Sequence, residues 1–164
     1  MKKLSLTQGL FSDIDDDDYN WLIDYKWQAH QDGNTYYARH GYKNNRGVIS
    51  ALRMHRLIWE KHFGGIPNGY FIDHIYRNGL NNQKSNLRIC TNAQNQWNSQ
   101  AHADGKFKTR GVCLSAEGKW RARIQINGKR MSLGDFDDIH DAMSAYNNAA
   151  RECHGEFFRD GDPT

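Results

Sequence analysis

The chain has 164 residues, of which 38% are hydrophobic, and a formal net charge of +3. This length allows one domain or two small ones, and no apolar run approaches the ~20 residues that span a membrane. Three widely spaced cysteines without a C-x-x-C pair exclude a disulfide framework and a cysteine zinc site. The N-terminus has no long apolar run, which argues against a secretory signal, so a reducing cytoplasm is the expected compartment.

Charge is distributed unevenly along the chain. Residues 106–134 carry eight lysines and arginines against one acid, whereas residues 135–164 carry eight acids against two arginines. A basic segment followed directly by an acidic one indicates one face that binds a polyanion and another that faces water.

The first hundred residues alternate between predicted helices and strands. In "DIDDDDYNWLIDYKW" the acids precede an apolar-periodic segment, which favours a capped helix N-terminus over a calcium loop that lacks the EF-hand glycine and glutamate. "NTYYARH" and "GVISALRM" are typical of short strands. "MHRLIWEKHF" predicts a helix with Leu57, Ile58 and Phe63 directed inward, and "GGIPNGY" ends it.

Residues 70–98 predict a strand, a polar loop and a helix around "TNAQNQWNSQ". The strand ends in the adjacent pair Asp73-His74, and side chains of neighbouring strand residues point to opposite faces. The short polar segment at residues 99–106 is the predicted linker. The sequence therefore predicts two domains, residues 1–102 and 103–164.

The second domain shows a strand period of two. "KWRARIQIN" alternates apolar and polar residues, "NGK" predicts a hairpin turn, and "RMSLG" continues the pattern with Met131 and Leu133 inward. "DDIHDAMSAYNNAARECHG" predicts a helix that Asp137 or Asp138 caps and Gly155 ends. Its small residues form a stripe that allows close packing on a sheet: Ala142, Ala145 and Ala149.

The open face of this predicted sheet carries arginines and almost no acids. A solvated surface would explain such a face, but the charge pattern favours nucleic acid, because a β-ribbon fits the DNA major groove and arginine pairs bidentately with guanine or phosphate. RNA is a weaker alternative, since the face has no clear stacking aromatics.

Residues 108–155 resemble the ethylene-responsive-factor type DNA-binding domain of plants. The matching landmarks are "RGV", "GKWRARI", "SLGDFDD", the alanine-rich helix pattern and "HGE". The resemblance implies a three-stranded sheet that enters the major groove of double-stranded DNA. Position by position, the implied DNA contacts are Arg110, Arg121, Arg123, Gln125, Arg130 and Ser132. Cys113 replaces a usual arginine and Ser132 stands near a usual tryptophan, so base specificity does not transfer.

Residues 53–98 resemble the HNH homing endonucleases of phages and introns, through "MHR", "DHI", "LNNQKSNLR" and the final T-x-x-Q-N. The resemblance implies that Asp73 and Asn95 bind one divalent ion, that His74 is the general base, and that Asn86 braces the loop. Oxygen ligands suit Mg²⁺ or Mn²⁺, and a neutral histidine can accept a proton from water. His55 could approach the site or be an internally bonded core histidine.

The expected protein is thus an α+β, metal-dependent DNA endonuclease of homing type. Its ββα-metal nuclease module precedes a three-stranded antiparallel sheet packed on one helix. The family implies a phage-encoded enzyme acting in the bacterial cytoplasm; the oligomeric state stays open, with a monomer slightly favoured. The alternative is an inactive DNA-binding protein or transcriptional regulator, because Tyr76 stands where similar proteins mostly have asparagine.

Overall fold

The computed structural model describes residues 1–99, 109–126 and 128–158. The chain is a mixture of small antiparallel sheets and a few helices, and it divides into two compact units, Met1–Asn95 and Gln96–Thr164. This division falls earlier in the chain than the predicted boundary after residue 102. Apart from Ser99, the predicted linker lies outside the described residues.

The first unit begins with two small antiparallel sheets. A hairpin of β1 (Lys2–Ser5) and β2 (Phe11–Ile14) precedes the short helix α1 (Tyr19–Leu22). Three neighbouring strands then form the second sheet in chain order: β3 (Gln28–Asp32), β4 (Thr35–Lys43) and β5 (Ile49–Arg53). The sequence predicted the last two of these five strands and missed the first three.

The rest of the unit contains the Asp-His pair. Helix α2 (Met54–Phe63) follows β5 directly, which confirms the predicted helix. Strands β6 (Tyr70–His74) and β7 (Leu87–Thr91) pair as a hairpin, and helix α3 (Asn92–Asn98) follows at once. Within α2, Ile58 is fully buried and Leu57 packs against the core, but Phe63 is 53% exposed, so its predicted inward position is wrong.

The sequence predicted that the N-terminal acids cap a helix, and the structure shows that they do not. Helix α1 has only four residues, and the Asp18 side chain makes no cap hydrogen bond. Instead, Asp18 Oδ1 accepts from Trp21 Nε1 at 2.9 Å and lies 2.6 Å from His62 Nε2. Lys84 Nζ lies 2.6 Å from Asp17 Oδ2 and within 3.9 Å of carboxylate oxygens of the neighbouring aspartates. The Lys84 ammonium thus lies against three of the aspartates that the calcium alternative would have used.

The second unit contains a three-stranded antiparallel sheet with the spatial order β10-β9-β8. The strands are β8 (Val112–Leu114), β9 (Trp120–Ile126) and β10 (Lys129–Phe136), and helix α4 (Ile139–His154) packs on them. Two residues connect β9 to β10, as the predicted hairpin turn requires; Gly128 has a positive φ, and Asn127 lies outside the described residues.

The predicted alternation of β9 is confirmed, because Ala122 and Ile124 are buried and Arg121, Arg123 and Gln125 are not. In β10 the pattern is broken by a register shift between Ser132 and Gly134. Leu133 packs against the core as predicted, but Met131 is 51% exposed on this edge strand. Because Met131 pairs with the buried Ile124, it lies on the predicted inward face but remains half-exposed there.

Helix α4 has the predicted ends. The Asp138 side chain accepts from the His140 backbone N–H at 2.6 Å, and Gly155 follows the last helical residue with a positive φ. The buried stripe is Ala142, Tyr146, Ala150 and His154, a period of four, with Ala145 and Ala149 at its margins. Among the described residues, no helix is long and apolar enough to cross a bilayer.

Gly111 provides a test of the packing between α4 and the sheet. It has a φ of +66°, and a Cβ there would clash with the Tyr146 ring and with the Arg123 carbonyl oxygen. Gly118 has a similar φ of +77° but open space around it. We expect Gly111→Ala to lower the free energy of unfolding by about 1–3 kcal/mol more than Gly118→Ala, because only the first adds a steric clash to the backbone strain. Urea unfolding of the two variants measures the difference, and equal losses would contradict the described packing.

Candidate active site

Strand β6 directs Asp73 and His74 to opposite faces of the hairpin. Asp73 pairs with Arg88 across the strands, and His74 pairs with Leu87, which belongs to the buried core of the unit. Directly opposed residues share a face, so His74 points toward the core and Asp73 away from it. Both side chains are nevertheless buried, with exposures of 7% and 4%. The two residues therefore have separate surroundings.

Asp73 forms a buried ion pair with Arg88. The Arg88 Nε–H donates to Asp73 Oδ2 at 2.9 Å, and Arg88 Nη2 lies 2.8 Å from the same oxygen. The Asp73 and Arg88 side chains are 8% and 11% exposed, so both members of the pair are shielded from solvent. The guanidinium of Arg88 therefore neutralises a carboxylate that is almost completely removed from solvent.

His74 lies in a cluster of rings and amides on the core side. Its ring centroid is 4.9 Å from that of His55 on α2 and 5.7 Å from that of Tyr37 on β4. Its Nε2 lies 3.0 Å from Oδ1 of the fully buried Asn82. Burial lowers the pKa of His74, opposed by the hydrogen bond with Asn82 and the charge of Asp73. The imidazole is therefore neutral near pH 7, as a proton acceptor must be.

His55 is a core histidine in contact with the site. It is 4% exposed, and burial lowers its pKa well below the usual range, with a further contribution from His74. A neutral ring packed edge-on against His74 restricts the orientation of that imidazole. Both interpretations of His55 from the sequence are thus compatible with its position.

The loop between β6 and β7 is held by Asn86. Its Oδ1 accepts from the Tyr76 backbone N–H at 2.9 Å, and its Nδ2 donates to the Asn81 carbonyl at 2.7 Å. Its own carbonyl accepts from the Ile75 N–H at 2.8 Å. Tyr76 contributes its backbone to this turn, and its side chain is 60% exposed. The turn therefore forms with a tyrosine at the position where similar proteins carry asparagine.

Asn95 lies half-exposed on α3, four residues beyond the end of β7. All four predicted residues of the site, Asp73, His74, Asn86 and Asn95, thus lie within the first unit. Two further residues were missed as parts of the site, namely Asn82, which contacts His74, and Arg88, which pairs with Asp73. Cross-strand pairing could have identified Arg88, since opposite charges at paired positions attract. Asn82 follows His74 by eight residues in the polar loop, and only its burial distinguishes it from the neighbouring Asn81.

The second candidate site is the outward face of β9 and β10. The pairing register places Arg123 opposite Ser132 and Gln125 opposite Arg130, so these four residues share one face. Arg121 lies on the same face opposite Asp135, which it contacts through two hydrogen bonds of 2.6 and 2.7 Å. The face is thus less uniformly basic than the sequence suggested, because one of its arginines has a carboxylate partner.

Arg110 lies elsewhere than on this face. Its guanidinium donates to the carbonyl oxygens of Gln96, Trp97 and Ser99 at 2.6, 2.7 and 2.8 Å, and so satisfies the end of helix α3. Trp97 in turn stacks on His154 with a centroid distance of 4.1 Å. Arg110 was expected beside the outward arginines. Its guanidinium instead holds the end of α3 through these three hydrogen bonds.

Comparison with known proteins agrees with the motif around Asp73. The family model described as HNH endonuclease matches residues 53–97. The chain is 30% identical over 151 residues to an uncharacterized HNH endonuclease of Acanthamoeba polyphaga mimivirus, covering 92% of this chain and 74% of the relative. The chain belongs to the HNH endonuclease family. It is also 32% identical over 118 residues to Protein 3.8 of Escherichia phage T7, covering 71% of this chain and 97% of that protein. No solved structure matches.

The matched HNH segment includes all four predicted residues of the site, and also His55, Asn82 and Arg88. Other contacts of the site come from outside it, notably from Tyr37 on β4. The plant-type domain expected at residues 108–155 lies beyond the matched segment, so its assignment stays a prediction.

The ion pair at Asp73 can be tested through stability. Arg88→Met would leave a buried carboxylate without its cation, and we expect the free energy of unfolding to fall by about 3–5 kcal/mol. Arg56→Met, at an exposed position of α2, is the matched control. Equal melting temperatures of Arg88→Met and the control would show that the pair contributes little.

Proposed function

We propose that the chain is a metal-dependent DNA endonuclease of homing type, whose C-terminal sheet recognises the site that its HNH unit cuts. One observation carries this proposal: an HNH-family protein places Asp73 and His74, both buried, side by side on one short strand. Asp73 has the cationic neighbour Arg88, and burial keeps His74 neutral. We further propose that β6, β7 and α3 form the ββα-metal motif, and that residues 103–164 act as the DNA-binding domain.

The residues of the site fit a hard divalent cation. Asp73 offers a carboxylate and Asn95 an amide oxygen, which is the ligand type that Mg²⁺ and Mn²⁺ prefer. Asp73 already has one cationic partner, because the Arg88 guanidinium lies against its Oδ2. Asp73 and Asn95 would hold one such ion, which when bound stabilises negative charge on the phosphate and the leaving oxygen.

The residues of the chain would carry the remaining steps. His74 takes a proton from water while the water oxygen bonds to phosphorus and the bond to the leaving oxygen breaks. His55 and Tyr37 confine the imidazole by ring contacts. Asn86 fixes the turn that follows His74 through its two amide hydrogen bonds. The strand and its loop thus hold the base in place before the substrate binds.

Removal of the base should separate cutting from binding. His74→Ala is expected to abolish Mg²⁺-dependent cleavage of supercoiled DNA while keeping the affinity for DNA within a few-fold, because the imidazole acts on water. EDTA should abolish cleavage by the wild type. DNA from the genome of the natural host, or from the element that encodes the protein, is the substrate of choice. Binding by the wild type without cleavage would favour the alternative of an inactive DNA-binding protein, and Tyr76→Asn would then test that residue.

The outward face of the second unit should dominate DNA affinity. If it covers ~4–6 phosphates, the slope of log affinity against log salt should be about −4 to −5. Arg123→Ala and Arg130→Ala should each weaken binding and reduce that slope by about 1. Arg121→Ala should have a smaller effect, because Asp135 already neutralises this arginine. Arg151→Ala, at an exposed position of helix α4, is the control. A wild-type slope near zero would contradict binding through this face.

A further inference from the structure

The side chain that contacts His74 from the loop is a fully buried asparagine. Asn82 has no exposed surface, and its Oδ1 lies 3.0 Å from His74 Nε2. Its main chain is fixed as well, since its N–H donates to the Asp13 carbonyl at 2.8 Å. The Asp13 N–H in turn donates to the Leu80 carbonyl at 2.9 Å. Strand β2 therefore holds the loop segment that supports His74.

The contacts around Asn82 favour one orientation of its side-chain amide. Its Nδ2 lies 2.7 Å from Ser12 Oγ and 3.5 Å from the Gly79 carbonyl oxygen. A carbonyl oxygen only accepts hydrogen bonds, so the reversed amide would place two acceptors against each other at Gly79. Ser12 Oγ has its own acceptors, the Leu80 carbonyl at 3.0 Å and Met54 Sδ at 3.3 Å. With its single hydroxyl proton donated to one of these, Ser12 Oγ accepts from Asn82 Nδ2, which is consistent with the orientation favoured at Gly79.

This arrangement decides the protonation of the neighbouring ring. With Nδ2 committed to Ser12 and Gly79, Asn82 presents Oδ1 to His74, and an oxygen acceptor at 3.0 Å requires an N–H on Nε2. A neutral imidazole carries one proton, so a proton on Nε2 places the basic lone pair on Nδ1.

We propose that Asn82 is a positioning residue that holds His74 in the Nε2–H tautomer, so that Nδ1 is the nitrogen that takes the proton from water. Ser12 keeps the Asn82 amide in the required orientation. The consequence for catalysis rests on the proposed function, in which His74 is the base. The N-terminal hairpin, outside the segment that matches the HNH family, thereby acquires a role in the active site through Ser12.

The tautomer can be measured without any cleavage assay. The full-length protein is labelled with ¹⁵N-histidine, and two-bond ¹⁵N–¹H correlations report which ring nitrogen carries the proton. The His74 signals are those that disappear in His74→Gln. We expect a neutral ring with its proton on Nε2. A proton on Nδ1, or a rapidly exchanging mixture of both tautomers in the wild type, would overturn the proposal.

Variants then test whether the tautomer matters for the reaction. Asn82→Leu keeps a similar volume but removes the acceptor, so we expect mixed tautomers of His74 and a fall in kcat of about 10²-fold or more, with KM within a few-fold. Asn81→Leu is the matched control, because its Oδ1 contacts the Gln83 N–H and it lies in the same loop. This control should keep both the tautomer and kcat. Ser12→Ala provides a milder variant if Asn82→Leu does not fold, and it should weaken the preference for Nε2–H.

The outcomes separate this proposal from the one on which it rests. A loss of kcat in Asn82→Leu with an unchanged His74 tautomer would remove the positioning role of Asn82. The expected tautomer in the wild type, together with full cleavage by His74→Ala, would instead remove His74 as the base and leave the structural assignment of Asn82 intact.

Discussion

The pairing register of β6 with β7 is the constraint on which the site depends. Because neighbouring strand residues face opposite sides, a carboxylate and an imidazole that are adjacent in sequence must be supported from different directions. Asp73 is supported by Arg88 across the hairpin, and His74 by His55, Tyr37 and Asn82 on the core side. A slip of one residue would exchange the two environments, placing the aspartate in the ring cluster and the histidine beside the arginine.

The buried polar groups explain why so many contacts converge here. An ionised carboxylate or an unbonded amide inside a small unit is strongly unfavourable unless it has partners. Asp73 has a guanidinium, and the amides of Asn82 and Asn86 have hydrogen bonds at both ends. These contacts hold the side chains in one arrangement. The polar side chains take up buried positions that apolar residues could fill with greater stabilisation, which is expected at a functional site.

Patterns of apolar residues predicted the second unit better than the first. The alternation around Ala122 and Ile124 is strict, and the capped helix after Asp138 has clear ends, so period and turn chemistry were sufficient. The N-terminal strands were missed because β1 and β2 have four residues each and depend on contacts with distant segments. In the site, the motif indicated Asp73, His74, Asn86 and Asn95, but Asn82 could not be chosen over Asn81, because burial is a tertiary property. The position of Arg110 at the end of α3 was likewise beyond local pattern.

The contacts also show that the HNH segment depends on the residues before it. Residues 53–97 contain the proposed base and the proposed metal ligands, yet the loop between β6 and β7 is attached to β2 through Ser12 and Asp13. Asp15 accepts from the Lys84 backbone N–H at 2.8 Å, which fixes the far end of the same loop. Tyr37 on β4 packs against the His74 ring. Gly79 in the loop leaves room for Tyr37, since a Cβ at residue 79 would lie 2.8 Å from the Tyr37 ring. Without these partners the loop would bury amides that lack hydrogen bonds, so the segment by itself would not hold His74 in a single orientation.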